Sequence, residues 1–145
     1  MKGLIQRVNH AQVDVAGQSV GAIDKGILLL LGIEAKDSSD SADKLLHKVL
    51  NYRIFPDEKG RMNLNLQKTG GGLLVVSQFT LVADTDRGLR PSFSCGATPE
   101  YAEELYNYFL GRAKTQFSPL ACGIFAADMQ VSLVNDGPVT FMLET

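Results

Sequence analysis

The chain has few of the side chains that carry redox, metal or histidine-based chemistry. Its 145 residues include only two cysteines and two histidines. Cys95 and Cys122 lie far apart and match no redox or zinc spacing, so reduced thiols are predicted. His10 and His47 belong to no catalytic motif, although a serine triad is not excluded by spacing alone, because triads assemble in space. No cluster of His, Cys, Asp and Glu has metal-ligand spacing, so we expect neither a metal nor a cofactor.

Long apolar runs and a strong net charge are also missing. The longest wholly apolar run, residues 27–31, is far too short to span a bilayer, and the first seven residues lack the apolar stretch of a signal peptide. A net charge of −2 does not fit a protein that grips a long duplex. The sequence therefore predicts a cytoplasmic protein with no membrane partner and no DNA partner. Any contact with another nucleic acid should be small.

A few local basic groups remain as candidate contacts for RNA. They are Lys44, Lys48 and Arg53 along one predicted helix, and Arg87 and Arg90 in one loop. Each also fits an ordinary solvated surface charge. The loop, residues 83–94, is long for a compact domain and its groups suit a phosphate and a stacked base, although an Asp/Arg loop that pairs with itself fits as well.

The order of strands, turns and helices predicts one α+β domain over residues 1–145. Helices are predicted at 39–53 and 99–114 from apolar stripes that follow capping residues. Strands are predicted near 2–8, 11–16, 19–23, 27–33, 62–66, 73–82, 121–127, 129–134 and 139–144. Many strands joined by tight turns, with two main helices between them, predict a mostly antiparallel, barrel-like sheet.

One predicted strand contains an unusual polar segment, Ser77-Gln78-Phe79-Thr80-Leu81. Because strand residues alternate faces, Gln78 and Thr80 should point one way, and Ser77 and Phe79 the other. A buried glutamine is costly without partners, which favours a functional role for this segment. A strand that ends at a sheet edge, with a solvated glutamine, explains the pattern equally well.

The second segment of interest is the predicted turn Asn135-Asp136-Gly137-Pro138. A Gly-Pro peptide can adopt the cis form, and glycine removes the side chain that would crowd a ligand. Such a tip could read a small polar group by shape and by main-chain atoms alone. Asp-Gly is also an ordinary hairpin signal, so a purely structural turn between the last two strands fits too.

Together these two segments resemble the D-aminoacyl-tRNA deacylases. Further stretches support the resemblance over nearly the whole chain, at residues 4–8, 52–55, 62–65, 90–94 and 125–129. The resemblance implies a cytoplasmic homodimer that binds the 3′ acceptor end of an aminoacylated tRNA. It implies that the protein hydrolyses the ester of a D-amino acid, and also that of glycine mischarged on tRNA for alanine.

The resemblance also implies roles for individual residues. It implies that the Gly137–Pro138 peptide is cis and enters the active site of the other subunit, where its carbonyls hold the substrate ammonium group and exclude an L side chain. We expect the main-chain N–H of Phe79 to bind the developing oxyanion. Ser77 and Gln78 would position the ester and the ribose, whose 2′-hydroxyl assists the attacking water.

Two other functions stay open from the residues alone. Thr80 is the only hydroxyl in its motif that could accept an acyl group, so a threonine-nucleophile hydrolase of small D-amino acid esters is possible in principle, although no base to activate it is visible. We favour a supporting role for Thr80. A non-catalytic dimeric module that binds aminoacylated tRNA or free D-amino acids is the third reading. Phe125 and Met129 are predicted to line the pocket, although plain core packing explains them nearly as well.

Overall fold

The structure of the chain is a computed structural model that describes residues 1–86 and 88–145. Arg87, one of the two basic loop residues singled out in the sequence, lies outside the described residues. Arg90, the other, is exposed.

The described part of the chain contains eight strands, three helices and one 3-10 turn. The strands are β1 (Lys2–Val15), β2 (Gln18–Ile23), β3 (Gly26–Gly32), β4 (Phe55–Pro56), β5 (Met62–Leu64), β6 (Gly72–Ser77), β7 (Leu120–Cys122) and β8 (Gln130–Glu144). The helices are α1 (Ser39–Asn51), α2 (Leu66–Thr69) and α3 (Pro99–Gln116), and the 3-10 turn spans Phe79–Val82.

The long strand β1 organises the sheet. It pairs antiparallel with β2 and β3 along one edge and with β8 along the other. Strands β6 and β7 then extend the sheet from β3 in parallel register, and β2 returns close to β7. The sheet is therefore a nearly closed barrel, which confirms the predicted α+β class. The parallel pairing of β3 with β6 and of β6 with β7 was not predicted from the sequence pattern.

Two apolar layers cover the two faces of this sheet. One face buries a cluster that includes Val8, Val13 and Leu28, while the other packs against the helices. The run in β3 contributes alternate residues to both layers, so it is buried on both faces as predicted. The end of this strand and the end of β6 lie side by side, and the functional segments begin there.

The two main helices begin where the sequence predicted them, but α1 ends at Asn51, two residues before the predicted end. Helix α1 has a capping box at Ser38 and buries the stripe Ala42, Leu45, Leu46, Val49 and Leu50. Helix α3 starts at Pro99 after the Thr98 cap and continues two residues beyond the predicted end. In the part of the chain that the structure describes, no helix is both long and apolar enough to cross a membrane.

The strand predicted over 73–82 is the first correction. It ends at Ser77, after which the N–H of Gln78 still donates to the carbonyl of Leu31 (2.8 Å) and the chain turns into the 3-10 segment. Gly32 provides the space, because a Cβ there would lie 2.9 Å from Val82 Cγ1. The predicted alternation of side chains is therefore wrong beyond Ser77.

The predicted hairpin at Gly137–Pro138 is the second correction. Strand β8 is one continuous strand, and both of its halves pair with β1 (Gln6 opposite Thr140, Val8 opposite Asn135). Residues 136–139 therefore form a bulge rather than a turn between two paired strands. The local Asp-Gly signal is overridden because β1 is long enough to pair with both halves.

Candidate active site

A pocket of about 620 Å³ opens where β6 ends. Its walls come from the ends of β3 and β6, the 3-10 turn, the start of α3 and the segment that leads into β8. The lining residues are Leu31, Ile33, Val76, Ser77, Gln78, Phe79, Val82, Phe93, Gly96, Ala97, Pro99, Ala102, Phe125, Ala126, Ala127, Met129 and Val131. None of these described residues carries an ionisable side chain, so the pocket is apolar apart from one hydroxyl, one amide and the backbone.

The structure brings five of the eight candidate site residues into this pocket. Ser77, Gln78 and Phe79 form one wall, and Phe125 and Met129, which come much later in the chain, form another.

The other three candidates lie outside the pocket lining. Thr80 is exposed, and its hydroxyl oxygen lies 2.5 Å from the amide nitrogen of Gln78, which donates to it. Gly137 and Pro138 are exposed on the bulge of β8, so within one copy of the chain they contribute nothing to this pocket. The geometry thus groups the first motif with Phe125 and Met129, and leaves the second motif on the surface.

The backbone of Phe79 offers a free donor to the pocket. The last ladder bond of this segment is the one from Gln78, and among residues 1–86 and 88–145 the N–H groups of Phe79 and Thr80 make no hydrogen bond. The first N–H groups of a helical turn have no partner inside the turn, which explains why these two are free. The N–H of Phe79 can therefore donate to a bound oxygen.

Two aromatic rings stand at the mouth of the pocket. Phe79 is 67% exposed and Phe93 is 44% exposed, and their ring centroids lie 5.1 Å apart. Phe93 belongs to the long loop, whose base is closed by two backbone hydrogen bonds between Asp84 and Ser92 (2.7 and 3.0 Å). Exposed rings of this kind provide a stacking surface for a base.

The pocket lining also contains small residues that the sequence analysis missed. Gly96, Ala97, Ala102 and Ala126 leave the space that larger side chains would fill. Ala97 and Ala102 lie on either side of the first residue of α3, so the small residues at this helix start could have indicated the pocket from the sequence. Ala126 could not have been identified in this way, because its positive φ of 58° is a property of the folded loop.

The bulge of β8 is held firmly by Arg7, which lies opposite it on β1. The Arg7 Nε atom is 3.1 Å from the carbonyl oxygen of Asp136 and 3.1 Å from its carboxylate, and Nη1 donates to the carbonyl of Ile54 (2.6 Å). The Gly137–Pro138 peptide is cis, and Gly137 has φ of +129°, where an L side chain is strained. The tip is therefore fixed in shape and has no side chain at Gly137.

The basic residues of α1 behave as surface charges. Lys44 pairs with Asp40 (2.6 Å), and Lys48 donates to the carbonyl of Glu144 (2.6 Å). Arg53 is exposed beyond the end of the helix. Within the described ranges no group of three or more His, Cys, Asp or Glu residues could hold a metal ion.

Comparison with known proteins decides the family. The family described as "D-Tyr-tRNA(Tyr) deacylase" matches residues 4–144. The chain belongs to this family of deacylases. It is 64% identical to a D-aminoacyl-tRNA deacylase of Stutzerimonas stutzeri over the full length of both chains, and 62% identical to one of Pseudomonas putida over 99% of each. The predicted family and the predicted class, an ester hydrolase, are confirmed.

Solved structures share the deacylase fold. One, titled "c-Myc DNA Unwinding Element Binding Protein", is 39% identical and superposes with a TM-score of 0.95 over 100% of this chain and 99% of that one. Another, titled "Structural Analysis of a probable eukaryotic D-amino acid tRNA deacylase", is 14% identical with a TM-score of 0.84 over 99% and 98%. At this low identity, the second structure supports a shared fold and nothing more.

Proposed function

We propose that the protein hydrolyses the ester bond of D-aminoacyl-tRNA and releases the free D-amino acid and the tRNA. Membership of the deacylase family supports this reaction. The observation that carries the mechanism is the free N–H of Phe79 at the wall of a pocket whose lining has no ionisable side chain. Such a site stabilises charge with backbone dipoles rather than with a catalytic acid or base.

The chemical step needs little from side chains, because an aminoacyl ester is already activated. Water attacks the ester carbonyl carbon, and the N–H of Phe79 holds the oxygen that becomes negative. The bond from that carbon to the ribose oxygen then breaks, and the proton lost by the water passes to the departing ribose oxygen. The neighbouring ribose hydroxyl of the terminal adenosine assists the water, so the RNA forms part of the catalyst.

The polar side chains of the motif orient the substrate. Ser77 and Gln78 lie in the pocket lining, where they can hold the ester and the ribose. Thr80 has a supporting role, because its hydroxyl accepts the hydrogen bond that fixes the Gln78 amide (2.5 Å). Phe125 and Met129 bound the space in which the aminoacyl group sits.

Selectivity for the D configuration comes from the Gly137–Pro138 tip of a second copy. Each tip is exposed and rigid, and it lies outside the pocket of its own chain, which supports insertion into a partner's pocket. The tip carbonyls receive the substrate ammonium group, and an L side chain collides with the backbone there. Glycine on tRNA for alanine passes because it has no side chain. The active unit is accordingly a homodimer with both sites at the interface.

The partner is the acceptor end of tRNA, and the setting is quality control of translation in the cytoplasm. The exposed Phe79 and Phe93 rings suit the terminal base. One structural neighbour is named for a DNA element, but a net charge of −2 favours a short contact with an RNA end over a DNA duplex. We therefore propose no DNA partner.

Three substrates separate this function from its rivals. The protein is incubated with D-tyrosyl-tRNA, L-tyrosyl-tRNA and a D-tyrosine alkyl ester, and release of tyrosine is measured. Release from D-tyrosyl-tRNA alone supports the proposal. Release from the alkyl ester would instead support a Thr80-nucleophile hydrolase, and no release from any of them, with tRNA binding retained, would indicate a binding module.

A further inference from the structure

Tyr106 is a buried polar residue that the mechanism above does not use. It lies on α3, one turn after Ala102, and only 1% of it is exposed. Its hydroxyl oxygen is 3.1 Å from the carbonyl oxygen of Val75 and 3.3 Å from that of Gly123. Burial raises the pKa of this hydroxyl well above its usual 10.0, so it remains a donor.

These two carbonyls mark the point where the two walls of the pocket separate. Val75 and Cys122 are paired in the parallel ladder of β6 and β7, and the N–H of Gly123 adds a last bond to the Val75 carbonyl (2.9 Å). Beyond it, β6 continues to Ser77 and the Phe79 N–H, and the other chain segment continues to Phe125. The pocket lies between them.

The Tyr106 hydroxyl donates a hydrogen bond at this junction that no other described side chain supplies. Among the described residues no other donor reaches the carbonyl of Gly123, which is buried. The hydroxyl has one hydrogen, which the carbonyls of Val75 and Gly123 share, and the Val75 carbonyl also accepts from the N–H of Gly123. Removal of the hydroxyl would therefore leave only the buried Gly123 carbonyl without a partner, which costs free energy. The ring of Tyr106 also contacts Phe125, with centroids 5.7 Å apart.

We propose that Tyr106 is a positioning residue that sets the separation between the Phe79 N–H and the wall formed by Phe125 and Met129. The proposal rests on the deacylase function given above. Its hydroxyl ties the Gly123 carbonyl to the β6 strand, so the ester carbonyl meets the oxyanion donor at the right distance. Small displacements matter here, because transition-state contacts depend steeply on geometry.

The test compares two tyrosine-to-phenylalanine variants on the same helix. Tyr106→Phe removes the hydroxyl at the junction, and Tyr108→Phe removes one that donates to the Asp43 carboxylate (3.1 Å) on the outside of the molecule. Steady-state kinetics with D-tyrosyl-tRNA are measured well below the melting temperature. Tyr106→Phe should lower kcat roughly tenfold with KM nearly unchanged, since the contact that it displaces, from the Phe79 N–H to the oxyanion, is made only in the transition state. Tyr108→Phe should match the wild type.

If the hydroxyl only stabilises the fold, Tyr106→Phe will have a lower melting temperature and an unchanged kcat. That result would overturn the proposal. A wild-type protein without deacylase activity would overturn the proposed function as well, so the two failures are distinguishable. Gly123→Ala provides a second variant if Tyr106→Phe does not fold. Its Cβ would lie 2.6 Å from Met129 Sδ and should displace the same wall, with the same selective loss of kcat. An unchanged kcat there would also count against the proposal.

Discussion

At the scale of single residues, the pocket combines apolar side chains with one serine, one glutamine and a free backbone N–H. Ser77 and Gln78 cannot supply a general base, so neither can activate a nucleophile. The Phe79 N–H makes no hydrogen bond within the described chain, so it is suited to a developing negative charge at that wall. Catalysis by position and by backbone dipoles is the chemistry that this set of residues allows.

Thr80→Ala tests that account against the threonine nucleophile. The variant should retain activity within about tenfold of the wild type, because a hydrogen bond such as the one to Gln78 contributes about 1 kcal/mol net. Deacylation of D-tyrosyl-tRNA is measured, with Thr115→Ala as the matched control. Thr115 also loses a hydroxyl hydrogen bond, to the carbonyl of Arg112, but on the far end of α3. Activity at background in a folded Thr80→Ala protein would return Thr80 to the nucleophile role.

At the scale of elements, the site depends on a strand that stops early. The sequence identified residues 77–81 as a candidate segment, but it predicted a strand there, because the apolar run continues to Val82. The 3-10 turn forms for a tertiary reason, the space that Gly32 leaves on the neighbouring strand. The sequence shows which residue types stand in this segment. It does not show the free N–H groups or the hydrogen bond between Gln78 and Thr80, because both depend on how the segment packs in the fold.

The same distinction applies to the bulge of β8. The Asp-Gly-Pro signal marked an exposed tip, yet it indicated a hairpin because local turn chemistry does not show which strand serves as partner. Pairing of both halves with β1 is a long-range contact, and Arg7 completes it from the opposite strand. Helix positions were predicted closely, since caps and apolar stripes are local.

Gly32→Ala tests the link between packing and site. The added Cβ would lie 2.9 Å from Val82 Cγ1 and 3.0 Å from Leu81 Cβ, so the 3-10 turn must shift. We expect both the melting temperature and kcat to fall, because the Phe79 N–H moves with the turn. Gly111→Ala is the control, since nothing lies within 4 Å of its added Cβ on α3, and it should stabilise the protein by about 0.5–1 kcal/mol. Normal kcat in Gly32→Ala would show that the turn tolerates displacement.

At the scale of the whole molecule, the helical layer is tied together across its surface by a small polar cluster. The Arg112 guanidinium on α3 donates to the Asp43 carboxylate on α1 (2.9 Å), and the Tyr108 hydroxyl donates to the same group. The hydrogen bond from Arg112 lowers the pKa of Asp43 below its usual 3.8, against a smaller opposing effect of burial. The cluster therefore contributes more to stability when Asp43 is ionised.

The pH dependence of that contribution follows from the direction of the shift. Because the folded pKa is depressed, the stabilisation is complete above the unfolded value of 3.8 and is lost as the pH falls through the folded value. Asp43→Asn should lower the free energy of unfolding by at most about 1 kcal/mol at pH 7, since both partners are partly exposed. Urea unfolding at pH 7, 5 and 3 measures the difference between variant and wild type. A difference that stayed constant down to pH 3 would contradict this assignment.

The proposed assembly of two copies carries the central claim that one copy's tip completes the other copy's pocket. Two inactive variants test it in mixed dimers. Phe79→Pro removes the oxyanion donor at a position where a helical turn accepts proline. Gly137→Phe disables the tip, since φ of +129° and a Cβ 2.8 Å from Val139 Cγ2 leave no room for a side chain.

The decisive measurement is the deacylase activity of the two variants mixed as subunits, each first shown by circular dichroism to be folded and inactive alone. If the tip acts across the interface, each mixed dimer holds one intact pocket facing one intact tip, and an equal mixture should recover about a quarter of the wild-type sites. If each tip served its own chain, every site in the mixture would stay defective. Mixed dimers that remain inactive would therefore contradict the account.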